Sequence, residues 1–191
     1  MTFVKNIAGV FSVQLYDAAS CDAIIKYAVR SRDWSDASIS EEQNGIYGPA
    51  VRPEYRVAQS FSPSAQSRIK REFDAKLNSL IKPFIRRVWR VDLSAHSGTH
   101  IIRYSPGGFY VTHADAGEDL MNRYFTVLCY LNGDFDGGQT SFPSLGWRIT
   151  PQKGMAVIFP STYLHRAEPV LTGQKYILIS WLTGENPIHF L

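Results

Sequence analysis

Apolar residues recur at helical spacing over residues 17–30, where Cys21, Ile24, Ile25, Ala28 and Val29 share one side and Asp17 stands as N-cap. A second stretch, residues 63–82, repeats the pattern with Ile69, Phe73, Leu77, Leu80 and Ile81. Pro63 lies at or just before its start. Pro83 should end or kink it, with Phe84 to Trp89 adding another turn or two. Between the helices, residues 33–58 hold Asp33, Ser35, Asn44, Gly45, Gly48, Pro49 and Pro53. That is long for a connection in a compact domain, so this segment is expected to be functional or mobile, and mobile without substrate.

From Thr99 the period shortens. Runs rich in β-branched and aromatic residues follow one another: His100–Tyr104, Phe109–His113, Tyr124–Leu131, Gln139–Phe142, Trp147–Thr150, Met155–Phe159, His165–Val170 and Tyr176–Leu182. Turn signals separate them, such as Ser105-Pro106-Gly107-Gly108 and Asp136-Gly137-Gly138. The pattern predicts a mainly β protein with N-terminal helices, a jelly roll or a sandwich. The organisation expected is one domain, with helices and a substrate loop over 1–98 and the jelly-roll core over 99–191.

Composition narrows the function classes. The 191 residues are 45% hydrophobic and 19% charged, which excludes a disordered chain and is enough for a full core. The net charge of +3 calls for no nucleic-acid partner. No apolar run is long enough to span a membrane. Cys21 and Cys129 form no disulfide framework or zinc motif, and no secretory signal is visible, so a cytoplasmic location is expected.

Candidate chemistry sits in the β half. His113-Ala114-Asp115 places an imidazole and a carboxylate two positions apart, and on one strand both would face the same side. With His165 they could hold one metal ion by two histidines and a carboxylate. That leaves three octahedral positions open, as in non-heme Fe(II) oxygenases. The plainer reading is a turn-capping aspartate beside a surface histidine. Lys175 opens an otherwise apolar strand and needs an anionic partner if buried, or stays solvated at the strand's open end.

The stretch from about Ile101 to Leu182 resembles the prolyl 4-hydroxylase-like branch of the 2-oxoglutarate- and Fe(II)-dependent dioxygenases. The resemblance runs through Arg103-Tyr104-Ser105-Pro106-Gly107-Gly108-Phe109-Tyr110, His113-Ala114-Asp115, Tyr130-Leu131-Asn132 and Gly137 to Pro143. It continues through Pro151-Gln152-Lys153-Gly154, His165 to Val170, Gly173, Lys175 and Trp181. It implies that His113, Asp115 and His165 bind Fe(II), and that Lys175 pairs with the distal carboxylate of 2-oxoglutarate. Tyr104 and Tyr130 would contact the cosubstrate, with Thr126 lining the same pocket. O2 is the implied oxidant and ascorbate an optional addition. The family's usual Gly-Gly-Glu-Thr stands here as Gly137-Gly138-Gln139-Thr140. A related group of iron-uptake-associated hydroxylases matches Pro160-Ser161 and Leu164-His165-Arg166 but has arginine at the Lys175 position. Related halogenases lack the carboxylate, so Asp115 favours hydroxylation.

The implied activity is hydroxylation of an aliphatic carbon, foremost prolyl 4-hydroxylation of a peptide or protein. The alternatives are a hydroxylase of a free amino acid or small metabolite, and a non-catalytic cupin-like module binding metal or sugar. Tyr55, Arg56 and Arg52 in or beside the long loop are candidates for substrate contact, as is Trp181, whose other reading is core. Arg123 matches a frequent family arginine. His96 and His100 are read as surface or supporting residues flanking a turn, His189 as a tail residue, and Arg86, Arg87 and Arg90 as a solvated helix face.

Overall fold

The computed structural model describes residues 1–185; His189 lies outside the described residues. The chain opens with an antiparallel pair, β1 (Val4–Ile7) and β2 (Val10–Gln14). The 1–98 half therefore holds strands as well as helices, contrary to expectation. The alternation in β2 is blurred by the buried Ser12, and the strand is stabilised by pairing onto a distant partner.

Helix α1 (Ala18–Arg30) starts where Asp17 accepts the Ser20 N–H at 2.7 Å. It buries Cys21, Ile24 and Ala28, whereas Val29 falls off that stripe and is exposed. The long 33–58 connection is also not as expected. It contains β3 (Ser35–Asp36), β4 (Ile39–Gln43), β5 (Ile46–Ala50) and β6 (Arg56–Val57), followed by β7 (Gln59–Phe61). Asn44 and Gly45, with φ of 55° and 79°, supply the two positive-φ residues of a tight hairpin turn joining β4 to β5.

Helix α2 (Arg68–Lys76) begins later than residue 63, because Ser67 accepts the Lys70 N–H at 3.2 Å and caps it. It widens into a π turn, Leu77–Ile81, and resumes as α3 (Lys82–Trp89). The Lys82 N–H bonds to the Leu77 carbonyl, five residues back, so the ladder is already reset where Pro83 brings no N–H. Arg86, Arg87 and Arg90 are exposed.

The β half follows as β8 (Ala95–Tyr104), β9 (Phe109–His113), β10 (Arg123–Tyr130), β11 (Asp136–Gly137), β12 (Thr140–Phe142), β13 (Trp147–Ile149), β14 (Met155–Pro160), β15 (His165–Ala167), β16 (Val170–Thr172) and β17 (Lys175–Thr183). His96 and His100 thus lie within β8 and do not flank a turn. The predicted run His165–Val170 breaks into β15 and β16 around Pro169, which cannot donate to a ladder. The strands form a major sheet in the order β1-β2-β14-β10-β17-β8-β7-β3 and a minor sheet in the order β13-β12-β15-β9-β6, all pairs antiparallel; β4-β5 and β11-β16 stand as pairs. Of the two architectures that the pattern predicts, this is the jelly roll.

Strand parity divides two cores. Val127 and Cys129 of β10, Ala156 and Ile158 of β14 and Leu178 of β17 pack on Ile24, Phe73, Leu77 and Ile85 of the helical layer. Their alternate neighbours Leu128, Tyr130, Val157, Phe159, Ile177 and Ile179 pack toward Phe142 and Ile149 of the minor sheet. Burial on both faces explains why these strands read as unbroken apolar runs. By the same parity Lys175 and Trp181 face the space between the sheets, alongside Ile177 and Ile179. Among the described residues no helix is long and apolar enough to cross a membrane.

Gly154 fastens the N-terminal strands to this frame. Its carbonyl accepts the Leu15 and Tyr16 N–H groups at 2.9 and 3.1 Å, and its N–H donates to the Tyr130 carbonyl at 2.8 Å. Its φ is 82°, and a Cβ there would collide with the Tyr16 carbonyl. Gly154→Ala is expected to cost about 3 kcal/mol or more, combining left-handed strain with overpacking. Urea unfolding measures it; an unchanged midpoint would contradict this account.

Candidate active site

His113 ends β9, and His165 opens β15 as its direct cross-strand partner. The minor sheet alone therefore brings two residues 52 positions apart in the chain face to face. Asp115 is not on that strand with His113. It lies in the bend beyond, where its N–H and that of Ala116 donate to the Ser161 carbonyl at 2.8 and 3.0 Å. The Ser161 N–H in turn donates to the Tyr124 carbonyl at 3.0 Å. Backbone bonds to the β14–β15 turn, not strand alternation, aim the carboxylate.

The three side chains place ligand atoms within 4.8 Å of one another. Nδ1 of His113 lies 2.8 Å from the Val111 carbonyl and Nδ1 of His165 lies 2.9 Å from the Tyr163 carbonyl. A carbonyl only accepts, so both Nδ1 atoms carry a hydrogen, and in the neutral ring it is Nε2 that offers the lone pair. Those Nε2 atoms stand 3.4 and 3.5 Å from the Asp115 oxygens. Burial pushes His165 down to about 4, so it is neutral at pH 7. Burial would raise the Asp115 carboxyl, but the imidazoles and the Thr126 hydroxyl outweigh it and hold it well below the usual carboxylate range. With Nδ1 committed to a carbonyl on each ring, both Nε2 atoms and the carboxylate are aimed at one point, an arrangement suited to a cation.

Surrounding side chains fix these groups. The Thr126 hydroxyl donates to Asp115 Oδ2 at 2.6 Å and lies 3.0 Å from the Ser161 hydroxyl. Tyr110 stacks on His113 with centroids 3.5 Å apart, and Phe159 meets His165 edge-on at 4.7 Å. Tyr110 stands in the matched Arg103–Tyr110 stretch with no role assigned; three positions before His113 on a regular strand would face away from it, and the register shift between β9 and β15 brings the two rings together. Ser161 likewise stands in a matched stretch, but for its backbone role the sequence holds no signal.

The triad opens onto a cavity of about 1080 Å³. Lys175 lines it and is only 1% exposed. Its Nζ donates to the Gly138 carbonyl at 2.6 Å and lies 4.9 Å from the Tyr104 ring and 5.5 Å from the Tyr130 ring. Burial brings its pKa down from 10.5 to about 7. An ammonium has three donors, and the Gly138 carbonyl is its one hydrogen-bond acceptor among the described residues. Tyr104 lines the cavity beside it. Tyr130 and Thr126, expected to line the same pocket, do not. Both face the space between the sheets, as Leu128 does, but their hydroxyls end on Thr140 and Asp115, which form the wall in their place.

Of the substrate candidates, Tyr55, Arg56 and Trp181 line the cavity. Trp181 is therefore a wall residue that stacks under the Arg123 guanidinium at 3.9 Å. Arg56 lies 4.6 Å from the Tyr110 ring and bonds the Ser38 carbonyl. Arg52 is turned away into a two-point pair with Glu41. His100, read as a surface or supporting residue, lines the cavity with Nδ1 2.9 Å from the Ser62 hydroxyl. His96 instead faces α2, where its Nε2 lies 3.0 Å from Asp74. Ser40 of the β4–β5 hairpin donates to Asp119 at 2.6 Å, so two segments distant in the chain meet at the mouth.

A model of the 2OG-Fe(II) oxygenase superfamily matches residues 99–183, the stretch that carries the triad and Lys175. This stretch belongs to the 2OG-Fe(II) oxygenase superfamily, and the curated relatives that the chain matches include prolyl 4-hydroxylases. Prolyl 4-hydroxylase subunit alpha-1 of Gallus gallus is 30% identical over 154 residues, which are 71% of this chain and 28% of that subunit. The chain spans 28% to 54% of the length of the first curated relatives it matches. In fold it is similar to a Pseudomonas putida prolyl-4-hydroxylase, with a TM-score of 0.75, 20% identity and 93% and 94% of the two chains covered. It is similar also to a Trichoplax adhaerens prolyl hydroxylase solved with a hypoxia inducible factor peptide fragment, with a TM-score of 0.77, 17% identity and 94% and 86% covered. Superfamily membership implies Fe(II), 2-oxoglutarate and O2. The donor set fits the metal, and the under-bonded Lys175 ammonium fits a keto-acid carboxylate.

Proposed function

We propose that this chain is a 2-oxoglutarate- and Fe(II)-dependent hydroxylase acting on prolyl residues of peptides or proteins. The observation that carries the reading is the pair of bare Nε2 atoms and one ionised carboxylate converging at a cavity that also exposes a buried ammonium. His113, Asp115 and His165 hold the ion, and Lys175 holds the distal carboxylate of 2-oxoglutarate, with Tyr104 beside it and Tyr130 closing the wall behind. Iron and 2-oxoglutarate, when bound, bring oxidation of an unactivated C–H bond by O2, with the keto acid leaving as succinate. The chain's own part is orientation: the Nδ1–carbonyl bonds fix both imidazoles, and Thr126 fixes the carboxylate.

A peptide substrate is favoured over a free amino acid by the size of the cavity and by its mouth between the β4–β5 hairpin and residues 117–120. Cys21 and Cys129, both free and buried, support a cytosolic setting. The two cores share one sheet, which supports one catalytic domain. Incubating the protein with Fe(II), 2-oxoglutarate, ascorbate and a panel of peptides and free amino acids tests the reading. A proline-dependent gain of one oxygen with matching succinate is expected; oxygen on free proline alone, or on nothing, overturns it.

Thr126→Val keeps the shape of the side chain and removes the donor to Asp115. Fe(II) affinity is expected to weaken about 10–100-fold, the usual cost of losing a partner that orients a metal ligand. Anaerobic iron titration reads it, and an unchanged affinity would remove Thr126 from that role.

A further inference from the structure

A second depression of about 520 Å³ adjoins the main cavity, and Asp33 and Ser62 line both. Ser62 is the residue hydrogen-bonded to His100, so the depression begins one hydrogen bond from the cavity wall. Its far side is α1. Ala23, Lys26, Tyr27 and Arg30 line it, and their spacing of three, four and seven residues from Ala23 sets all four on one face of the helix. The buried Phe61 also lines it, with the Tyr27 ring 5.9 Å away. Lys26 and Arg30 are exposed and form no ion pair among the described residues. The main cavity's walls carry both signs, with Asp33, Asp36 and Asp119 against Arg56, Arg123 and Arg166.

We propose that this depression is a subsite for the flank of the substrate peptide, and that it selects acidic side chains, Asp or Glu, which lie against Lys26 and Arg30. The inference rests on the peptide-hydroxylase reading above and adds to it a direction and a charge preference. Asp33 at the junction disfavours an acidic residue there, so the preferred acid sits beyond it. The apolar floor of Tyr27 and Phe61 takes the stems of the flanking residues.

The test uses fluorescein-labelled, proline-containing peptides in which a pair of glutamates, or of lysines, is walked residue by residue along either flank of a neutral sequence. Binding is read by anisotropy and turnover separately by mass spectrometry. With the wild type, one position of the glutamate pair is expected to bind about 10-fold more tightly than the neutral peptide, as two surface ion pairs allow. That gain should shrink with added salt. In the double variant Lys26→Glu, Arg30→Glu the preference is expected to reverse, so that the lysine pair binds best at the same position. Lys26→Gln, Arg30→Gln should abolish the preference without reversing it. Equal affinity for acidic, neutral and basic peptides, or an acidic preference that survives charge reversal, overturns the subsite. Absence of oxygen incorporation into any bound peptide instead counts against the underlying activity, because binding is scored independently.

Discussion

Asp115→Ala is expected to reduce peptide hydroxylation and succinate formation to background. The carboxylate is the one charged donor of the triad and stands within 3.5 Å of both Nε2 atoms. Its removal leaves two imidazoles without a carboxylate, which hold a hard ferrous ion poorly. The loss should exceed the roughly 10–100-fold that follows removal of an outer partner. The fold should survive, since Asp115 is anchored through backbone bonds to Ser161, which alanine keeps, and the Thr126 hydroxyl retains Ser161 as a partner. Anaerobic Fe(II) titration, circular dichroism and succinate assay together check this. Retained tight iron binding by the folded variant would dismantle the metal assignment.

Lys175→Met should act on the other substrate. It replaces a buried ammonium by an apolar chain of similar length, and iron binding should persist. KM for 2-oxoglutarate should rise about 100-fold or more, the cost of truncating one partner of a buried charge pair. The wild type should also show a pH signature. Because the Lys175 pKa falls from 10.5 to about 7 in the folded protein, the keto-acid carboxylate must capture it protonated. Above pH 7 binding therefore takes up a proton, and KM should climb by up to tenfold per pH unit, a slope absent in the variant. Stability of the ligand-free protein follows the same linkage. Between pH 7 and 10.5 the unfolded chain holds a proton that the folded chain has lost, so this group makes stability rise with pH across that window, and the variant should flatten the rise. A flat KM profile in the wild type would remove Lys175 from the cosubstrate site.

Residues that act through composition and period were legible; those that act through the path of the chain were not. The apolar runs of β10, β14 and β17 announced a doubly covered sheet, and the triad types announced metal chemistry. Asn44-Gly45 is a hairpin signal that the surrounding polar residues masked, so β4 and β5 were read as an irregular connection. The π turn at Leu77–Ile81 has no compositional mark other than the proline that follows. Asp115 was placed on a strand because a spacing of two suggests one, whereas a backbone bond to Ser161, 46 positions later, sets its direction. Thr126 and Tyr130 were expected to line the pocket, and their strand face is the right one, but Asp115 and Thr140 come between them and the cavity. Arg52 was distinguishable from Arg56 only once the hairpin brought Glu41 beside it.

The direct pairing of His113 with His165 governs how the chain can change length. An insertion in the exposed turn around Gly146 leaves that pairing untouched. A single residue added within β9, ahead of His113, would turn that imidazole to the opposite face and out of reach of its partner. Descendants of this sequence should therefore differ freely in loop size while β9 keeps an invariant length.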